Sequence, residues 1–467
     1  MHQKLRNEQI LLIGFPAWEG DYLKSTVQLA TELAKENQVL YVEYPFTWKD
    51  ALMSKWGRGK APWKRILGKE NRLRKLSLEN GASIHVLTLP PILPINFINS
   101  EALYDSLMLG SAKKAFRAIQ SAMTTLGMDQ PVVVNAFNPF LGVFLARQFD
   151  EKALVYYCYD EISAAKWAGK HGPRLERHLM READAVITSS EPLMKAKQPF
   201  ANQTYLVKNG VDFNLFNAPV ANGSSIEKTD SPATVGYLGS LDERIDFDLL
   251  ESTITTLPQY QFCFVGRVNS PEADRLRKYP NVNIMGSQSP ADLPTLVQKM
   301  DVCLIPFLKN KLTAGIYPLK INEYFAAGKP VVSTDFGDLS DFGTLVSVSS
   351  NSDSFAKLIE KSLTENSTNL TKARINFAQQ NSWYNRASEM GMAIRTVVAG
   401  RAELAARGEH SFIPNNYNRW GKVSERFFQP SSSGSNRPLK ETSLRKTDQP
   451  YRQKQVIAEN LVLLLPK

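Results

Sequence analysis

Two series of short, unalternating apolar runs, with helical stretches between them, restrict what this chain can fold into. The first series is QILLIGF (9–15), NQVLYVEY (37–44), SIHVLTL (83–89), PVVVNAF (131–137), ALVYYCY (153–159), DAVITSS (184–190) and QTYLVKN (203–209). Amphipathic segments such as 24–36 and 173–183 stand between these runs. A strand that is apolar on both faces must be covered on both, so the pattern predicts parallel sheets flanked by helices. The small, polar stretch 218–232 halts the series and reads as a linker. A second series follows at 234–240, 260–266, 281–286, 301–307, 329–335 and 343–349, with helices expected at about 246–256, 291–299, 320–327, 353–364 and 371–398. The fold class expected is α/β, built from two doubly wound units of similar size.

Length agrees, since 467 residues suit two or more domains, and an apolar share of 43% is enough for real cores. The three cysteines, Cys158, Cys263 and Cys303, each sit in an apolar run without metal-ligand spacing. They read as strand residues in a reducing cytosol. The first residues, MHQKLRNEQILLIGF, hold too short an apolar stretch for a secretion signal. No uncharged apolar stretch approaches the roughly 20 residues a membrane-spanning helix needs. A cytoplasmic protein is expected.

The net charge of +10 is unevenly placed. Residues 48–78 hold ten Lys or Arg against two acids, and residues 401–467 hold twelve against six. The body between them is slightly acidic. The 48–78 run interleaves its cations with Trp48, Trp56, Trp63, Leu67, Leu73 and Leu76, which suits the interface of an anionic membrane. An ordinary solvated face is the alternative. Nucleic-acid binding is not expected, because no recognised module accompanies the charge. From about 400 onward the low-complexity SSSGSNRP (431–438) and the loss of apolar periodicity read as a disordered basic tail.

In open α/β sheets ligands bind beyond the carboxyl ends of strands. No G-x-G-x-x-G follows the first strand and no P-loop is present, which weighs against a dinucleotide oxidoreductase or a nucleotide triphosphatase. The densest junction is DVCLIPFLKNKLTAGIYPLKINEYFAAGKPVVSTDFG, residues 301–337. A strand ends near Pro306, a loop with Gly315, Ile316 and Tyr317 follows, and Pro318 suits a helix start. Backbone N–H groups there can cradle a phosphate. Lys320 lies in the first helical turn, where a cation opposes the helix dipole unless an anion is bound. Glu323 follows on nearly the same face, placed to accept hydrogen bonds from a ribose diol. A surface Lys–Glu pair three residues apart explains the same two residues equally well.

The segment PLKINEYFAAGKPVVSTD resembles the donor-binding motif of glycosyltransferase family 4, the large retaining family with the GT-B fold. Weaker likeness extends over most of residues 10–395, through Trp18, YLVKNGVDFNLF (205–216), VGYLGSLDERIDFDLL (235–250) and Asn381-Ser382-Trp383. LVYYCYDEISAAKW followed by HLMREADAVITSSEPL resembles a bacterial subset that makes cell-surface polysaccharides such as teichuronic acid. The resemblance implies an N-terminal Rossmann-like acceptor domain (1–217), the linker (218–232), a C-terminal nucleotide-sugar domain with a terminal crossover helix (233–399) and the tail (400–467). Glu323 matches the second glutamate of the E-x7-E motif, while Gly315 stands where the first is expected. Lys320 takes the basic position near the diphosphate. Gly239, Ser240, Arg244 and Arg267 stand in for the family's Gly-rich phosphate clamp, whose first arginine is absent here.

A retaining transfer in this fold needs no protein nucleophile if the acceptor attacks from the leaving-group face and the diphosphate takes its proton. Asp160, in CYDEIS, occupies the region where the family places a residue near the reacting centre. Asp160, Lys320 and Arg244 are thus the expected catalytic residues. Trp18, Glu19 and Asp21 in FPAWEGDY are expected to meet a sugar acceptor, an ordinary polar loop being the alternative. The D-x-D at Asp246–Asp248 is a metal motif in a different glycosyltransferase fold. Here it opens a helix and reads as an N-cap and a first-turn acid, so no metal or other cofactor is expected. His171 and His178 read as helix-surface residues, and Asn209-Gly210 as a turn closing the first unit.

The activity expected is transfer of a sugar from a UDP- or GDP-sugar to a lipid-linked or polysaccharide acceptor, on the inner face of the cytoplasmic membrane. A nucleotide-sugar epimerase of the same fold, or a non-catalytic partner in a polysaccharide assembly complex, are the alternatives.

Overall fold

The computed structural model describes residues 5–20, 24–43, 45–78, 81–164, 168–221 and 231–407. Eight strands form the first sheet: β1 (Gln9–Gly14), β2 (Gln38–Val42), β3 (Leu73–Ser77), β4 (Ser83–Leu87), β5 (Val132–Ala136), β6 (Ala153–Cys158), β7 (Ala185–Thr188) and β8 (Thr204–Leu206). Their order is β3-β4-β2-β1-β5-β6-β7-β8, and every neighbouring pair is parallel except β3 with β4. The second sheet holds β9 (Thr234–Leu238), β10 (Gln261–Val265), β11 (Val282–Gly286), β12 (Val302–Ile305), β13 (Val331–Thr334) and β14 (Val346–Ser349). It is wholly parallel, in the order β11-β10-β9-β12-β13-β14.

All thirteen apolar runs read from the sequence contain a strand. In each sheet the first strand in sequence lies between its successor and a later strand, β1 between β2 and β5, β9 between β10 and β12. Such reversals open crevices at the carboxyl ends of the strands, where ligands seat. Central strands are buried on both faces: β5 and β6 have no exposed residue. Cys158 and Cys303 are buried strand residues, as expected, and Cys263 is half-buried in β10.

Several expectations need correction. β3 was not among the expected strands, because LRKLS sets two adjacent cations between its leucines and pairs antiparallel at the sheet edge. Charged residues are what an edge strand tolerates. The basic run 48–78 is therefore folded structure, with helices at Trp48–Lys55 and Trp63–Ile66 before β3. The first residues of the expected linker, 218–221, continue the Phe213–Ala221 helix, and 222–230 lie outside the described residues. The expected helix at 371–398 is two helices, Thr368–Gln380 and Trp383–Ala406. Ser382 caps the second through Asn385 N, and both residues beside the break bond to Val211, whose N–H donates to Asn381 O and whose carbonyl accepts from Trp383 N, each at 3.0 Å. The expected tail begins as the end of that helix, and 408–467 lie outside the described residues.

Asn209-Gly210 lies at this junction. A Cβ on Gly210 would come within 2.9 Å of the Trp383 backbone nitrogen, so only glycine permits the approach. The Trp383–Ala406 helix then packs back on the first sheet. Its Trp383, Ala387, Met390, Ala393 and Ile394 are buried with Ile10, Leu12 and Val155 of β1 and β6 and with Leu29 and Leu33 of the Ser25–Ala34 helix. A separate core surrounds the second sheet.

Candidate active site

The carboxyl ends of β12 and β9 meet those of β6 and β7 through specific contacts between the two halves. Beyond β12 the chain makes a short 3-10 turn at Thr313–Gly315 and enters the Leu319–Ala326 helix. Pro318 sits at the N-cap position, so the helix begins one residue after the proline. Ser190, which caps the Glu191–Lys197 helix through Leu193 N, also donates its hydroxyl to the carbonyl of Gly315 at 2.7 Å. Asn209 donates to the Tyr317 carbonyl and Asn322 donates to the Asn209 carbonyl, each at 3.2 Å. The loop carrying Gly315, Ile316 and Tyr317 is thereby fixed against the N-terminal half. The Ile316 N–H is already bonded to Thr313 O, so it is not a donor for a phosphate.

Lys320 and Glu323 do form the i,i+3 pair, at 2.8 Å. It is not a surface pair, because Glu323 is 2% exposed. A buried carboxylate needs a compensating charge or several donors, and Lys320, about a quarter exposed, supplies one from the cleft side of the helix start. Neighbouring Asn322 is buried, and its amide oxygen, like that of Asn209, has no hydrogen-bond partner among the described residues.

Gly315 lacks a side chain where room exists for one. An added Cβ would touch Leu193 Cδ2 at 3.6 Å and Glu161 Cβ at 3.9 Å, ordinary contacts with the opposite half. Glu161 and Asp160 follow β6. The Asp160 carboxylate accepts from the Glu161 N–H at 2.8 Å. Burial pushes its pKa up, and the positive charges of Arg244, across the cleft, and Lys197 only partly offset this. Glu161 is bound differently. Lys197, 5% exposed, reaches Glu161 at 3.1 Å and buried Glu176 at 2.8 Å, while Tyr156 OH donates to Glu176 at 2.9 Å. Burial raises the Glu176 pKa, an effect Lys197 and Tyr156 counter, whereas Glu161 is lowered because Ser163 and Lys197 outweigh its desolvation. This network was not visible in the sequence, since its members come from β6 and two separate helices.

On the β9 side, Gly239 and Gly266 bring two backbones together. A Cβ on Gly266 would lie 2.0 Å from the Gly239 carbonyl oxygen. Ser240 is half-buried beside them. Arg244 forks onto Asp242, at 2.8 and 2.6 Å, and lies over the Phe307 ring at 5.6 Å from its centroid. Burial opposes its charge, but Asp242 outweighs that and raises its pKa, so the guanidinium is a fixed cation facing Asp160. Arg267 is half-buried at the end of β10, where its carbonyl accepts from Leu241 N. Asp246 caps the Phe247–Thr256 helix through Leu249 N, and Asp248 pairs with Arg275, which accounts for the D-x-D as read.

The expected acceptor loop is tied down internally. Trp18 packs edge-on against Tyr41 at 5.1 Å, and its N–H donates to Glu43 at 3.0 Å. Lys24 donates to the carbonyls of Ala17 and Glu19, both at 2.5 Å. The Glu19 carboxylate pairs with Arg74 at 2.6 Å and Arg65 at 2.9 Å, which hold its pKa low against the effect of burial. Glu19 is thus tied to the basic segment while its side chain stays exposed, and Asp21 lies outside the described residues. His171 is also corrected: it is buried, stacked on Tyr104 at 3.8 Å and bonded to Ile98 O through Nε2. His178 is half-buried. A cavity of about 300 Å³ lies between the halves near Tyr317, but its Lys208–Asp341 and Arg386–Glu389 walls are already paired.

Comparison with known proteins matches residues 232–365 to the model for "Glycosyl transferases group 1". TuaH of Bacillus subtilis (strain 168), provisionally named as a teichuronic acid biosynthesis glycosyltransferase, is 29% identical over 177 residues. That match covers 35% of this chain and 44% of TuaH, under half of the relative's length. Among solved structures, sucrose-phosphate synthase from Thermosynechococcus elongatus has a TM-score of 0.62 at 19% identity, covering 84% of this chain and 100% of its own. Anabaena HepE in complex with UDP and glucose has a TM-score of 0.54 at 16% identity, with 86% and 100% covered. The catalytic domain of starch synthase IV from Arabidopsis thaliana, bound to ADP and acarbose, has a TM-score of 0.57 at 10% identity, with 84% and 100% covered. At these identities the likeness is one of fold, and the fold is GT-B.

Proposed function

We propose that this chain, whose residues 232–365 are a glycosyl transferases group 1 domain on a GT-B fold, is a retaining glycosyltransferase. It moves a sugar from a UDP- or GDP-sugar to a lipid-linked or polysaccharide acceptor in cell-surface polysaccharide synthesis. It works in the cytoplasm, peripherally on the inner face of the membrane. The observation that carries this reading is the buried Glu323, paired to Lys320 at the start of a helix that opens beyond β12. A buried carboxylate with a cation at a helix start suits a ligand that presents both hydroxyls and phosphate.

In this reading Glu323 accepts from the ribose hydroxyls of the donor. Lys320 and Arg244 stabilise the diphosphate as it gains charge on leaving, the step where fixed cations lower the barrier most. Gly239, Ser240 and Arg267 line the same phosphate path, and Tyr317 backs the loop beside it. Asp160 orients a hydroxyl at the reacting centre, opposite Arg244. The departing diphosphate oxygen takes the acceptor's proton, so no second carboxylate and no metal is called for. TuaH's name supports this setting, and the UDP complex of one fold relative supports a nucleotide-diphosphate sugar as donor.

The test is incubation of the full chain with UDP- and GDP-sugars, with and without a membrane lipid extract. Lipid-dependent release of nucleoside diphosphate, with the anomeric configuration of the product retained by NMR, is the expected result. Interconversion of the nucleotide sugar without lipid would favour an epimerase. Absence of any nucleotide binding would leave a non-catalytic member of an assembly complex.

A further inference from the structure

The Trp48–Lys55 helix buries one face and exposes the other among the described residues. Ala51, Asp50 and Ser54 point inward, where Asp50 closes a capping box with Thr47 and Ser54 Oγ accepts from Ala61 N at 2.9 Å. Trp48 (43% exposed), Leu52 (40%) and Trp56 (65%) point outward. Spaced four apart, they fall within about 80° of one another on a helix of 3.6 residues per turn. Lys49 and Lys55, both exposed, flank this apolar stripe on either side. Exposed Arg58, Lys60, Lys64 and Lys69 continue the charge, and the single exposed acid among residues 48–70, Glu70, is paired to Lys64. The Trp48 N–H donates to Ile92 O, which places exposed Leu93 beside the stripe.

We infer that this helix face is an interfacial seat for an anionic lipid bilayer, and that it holds the mouth of the cleft against the membrane. The inference rests on the proposed lipid-linked acceptor and names the surface through which that acceptor is met. Tryptophans and a leucine enter the headgroup region while the flanking lysines reach outward to phosphates. The charge around the stripe favours an anionic surface, since its exposed ionisable residues are cations apart from Glu70. The seat is coupled to the first loop of the cleft. Ala17 packs with Phe46, Ala51 and Ile66, and Glu19 is held by Arg65 and Arg74 of the same basic segment. A helix docked on the bilayer therefore fixes the loop after β1 at the lipid surface.

The experiment is flotation of the full chain with phosphatidylglycerol–phosphatidylcholine vesicles and with pure phosphatidylcholine vesicles. Wild type is expected to float with the anionic vesicles and to remain below with the neutral ones. Trp48→Ser/Leu52→Ser/Trp56→Ser and, separately, Lys49→Glu/Lys55→Glu/Arg58→Glu should each weaken binding by roughly tenfold or more. Both variants should keep wild-type thermal unfolding and wild-type UDP or GDP binding, which separates loss of the seat from loss of the donor site. A wild type that ignores anionic vesicles overturns the inference. So does unchanged binding in both variants. Loss of binding only in Leu461→Ser/Leu463→Ser/Leu464→Ser would place membrane contact in the 408–467 segment instead. A change of oligomeric state in the tryptophan variant, with vesicle binding intact, would assign the face to a second copy of this chain.

Discussion

The hydroxyl of Ser190 donates to the carbonyl of Gly315 at 2.7 Å, joining the helix after β7 to the loop that leads to Glu323. One side chain thus caps a helix in the N-terminal half and anchors the Gly315–Tyr317 loop of the other half. Ser190→Ala removes both interactions. It should cost about 1–3 kcal/mol, combining a lost cap and a lost hydrogen bond. Urea unfolding measures it, and a loss under 0.5 kcal/mol would mean that water replaces both contacts.

Gly315 needs no glycine for its backbone, since its φ is not among the positive ones and an added methyl makes only ordinary contacts. Gly315→Ala should lie between no change and a gain of about 0.4–1 kcal/mol, through reduced freedom of the unfolded chain. Loss of more than 1 kcal/mol would show that the loop is tighter than its contacts indicate.

Glu323→Gln keeps the shape of the buried group while removing its charge. Lys320→Met removes the charge from the helix start. Each should lower kcat/KM for the nucleotide sugar by roughly 30- to 1000-fold, equivalent to about 2–4 kcal/mol of transition-state stabilisation. Unchanged kinetics in both variants would sink the assignment of the donor site.

Lys197 neutralises two carboxylates in a buried setting. Lys197→Met leaves Glu176 buried without its cation and should cost about 3–5 kcal/mol near neutral pH. The Glu176 pKa is already raised by burial and would rise further. The folded state then binds more protons than the unfolded one, so the deficit should shrink as pH falls through that raised pKa. A pH-independent deficit would argue against a charge origin.

Asp160 follows the same sign. Its folded pKa stands above 3.8 because of burial, so the wild type loses stability as pH rises through the raised value. Asp160→Asn should be more stable than wild type at neutral pH, and the difference should vanish as pH falls toward 3.8. Thermal unfolding across that range measures it. The same variant should lose turnover, and retained activity would remove Asp160 from the reacting centre.

Strands were the most legible part of this chain because burial on both faces leaves an unbroken apolar run. The caps at Asp246 and the pairing of Lys320 with Glu323 were legible for a different reason: both interactions are local in sequence. The ion pairs of Glu19 left no mark because its partners, Arg65 and Arg74, lie 46 and 55 residues away, on a segment whose strand is disguised by its cations. His171 was misread because the ring that buries it, Tyr104, belongs to another helix. The Lys197 network stayed hidden for the same cause. Long-range pairing of charges leaves no periodic trace.

The Trp383–Ala406 helix supplies Trp383, Met390 and Ile394 to the core beneath β1 and β6, strands encoded hundreds of positions earlier. On the ribosome, that flank of the first sheet therefore stays only partly covered until the whole of the second sheet has been made. The early half of the nascent chain should therefore depend on chaperones, and expression of residues 1–217 alone should yield an aggregating product.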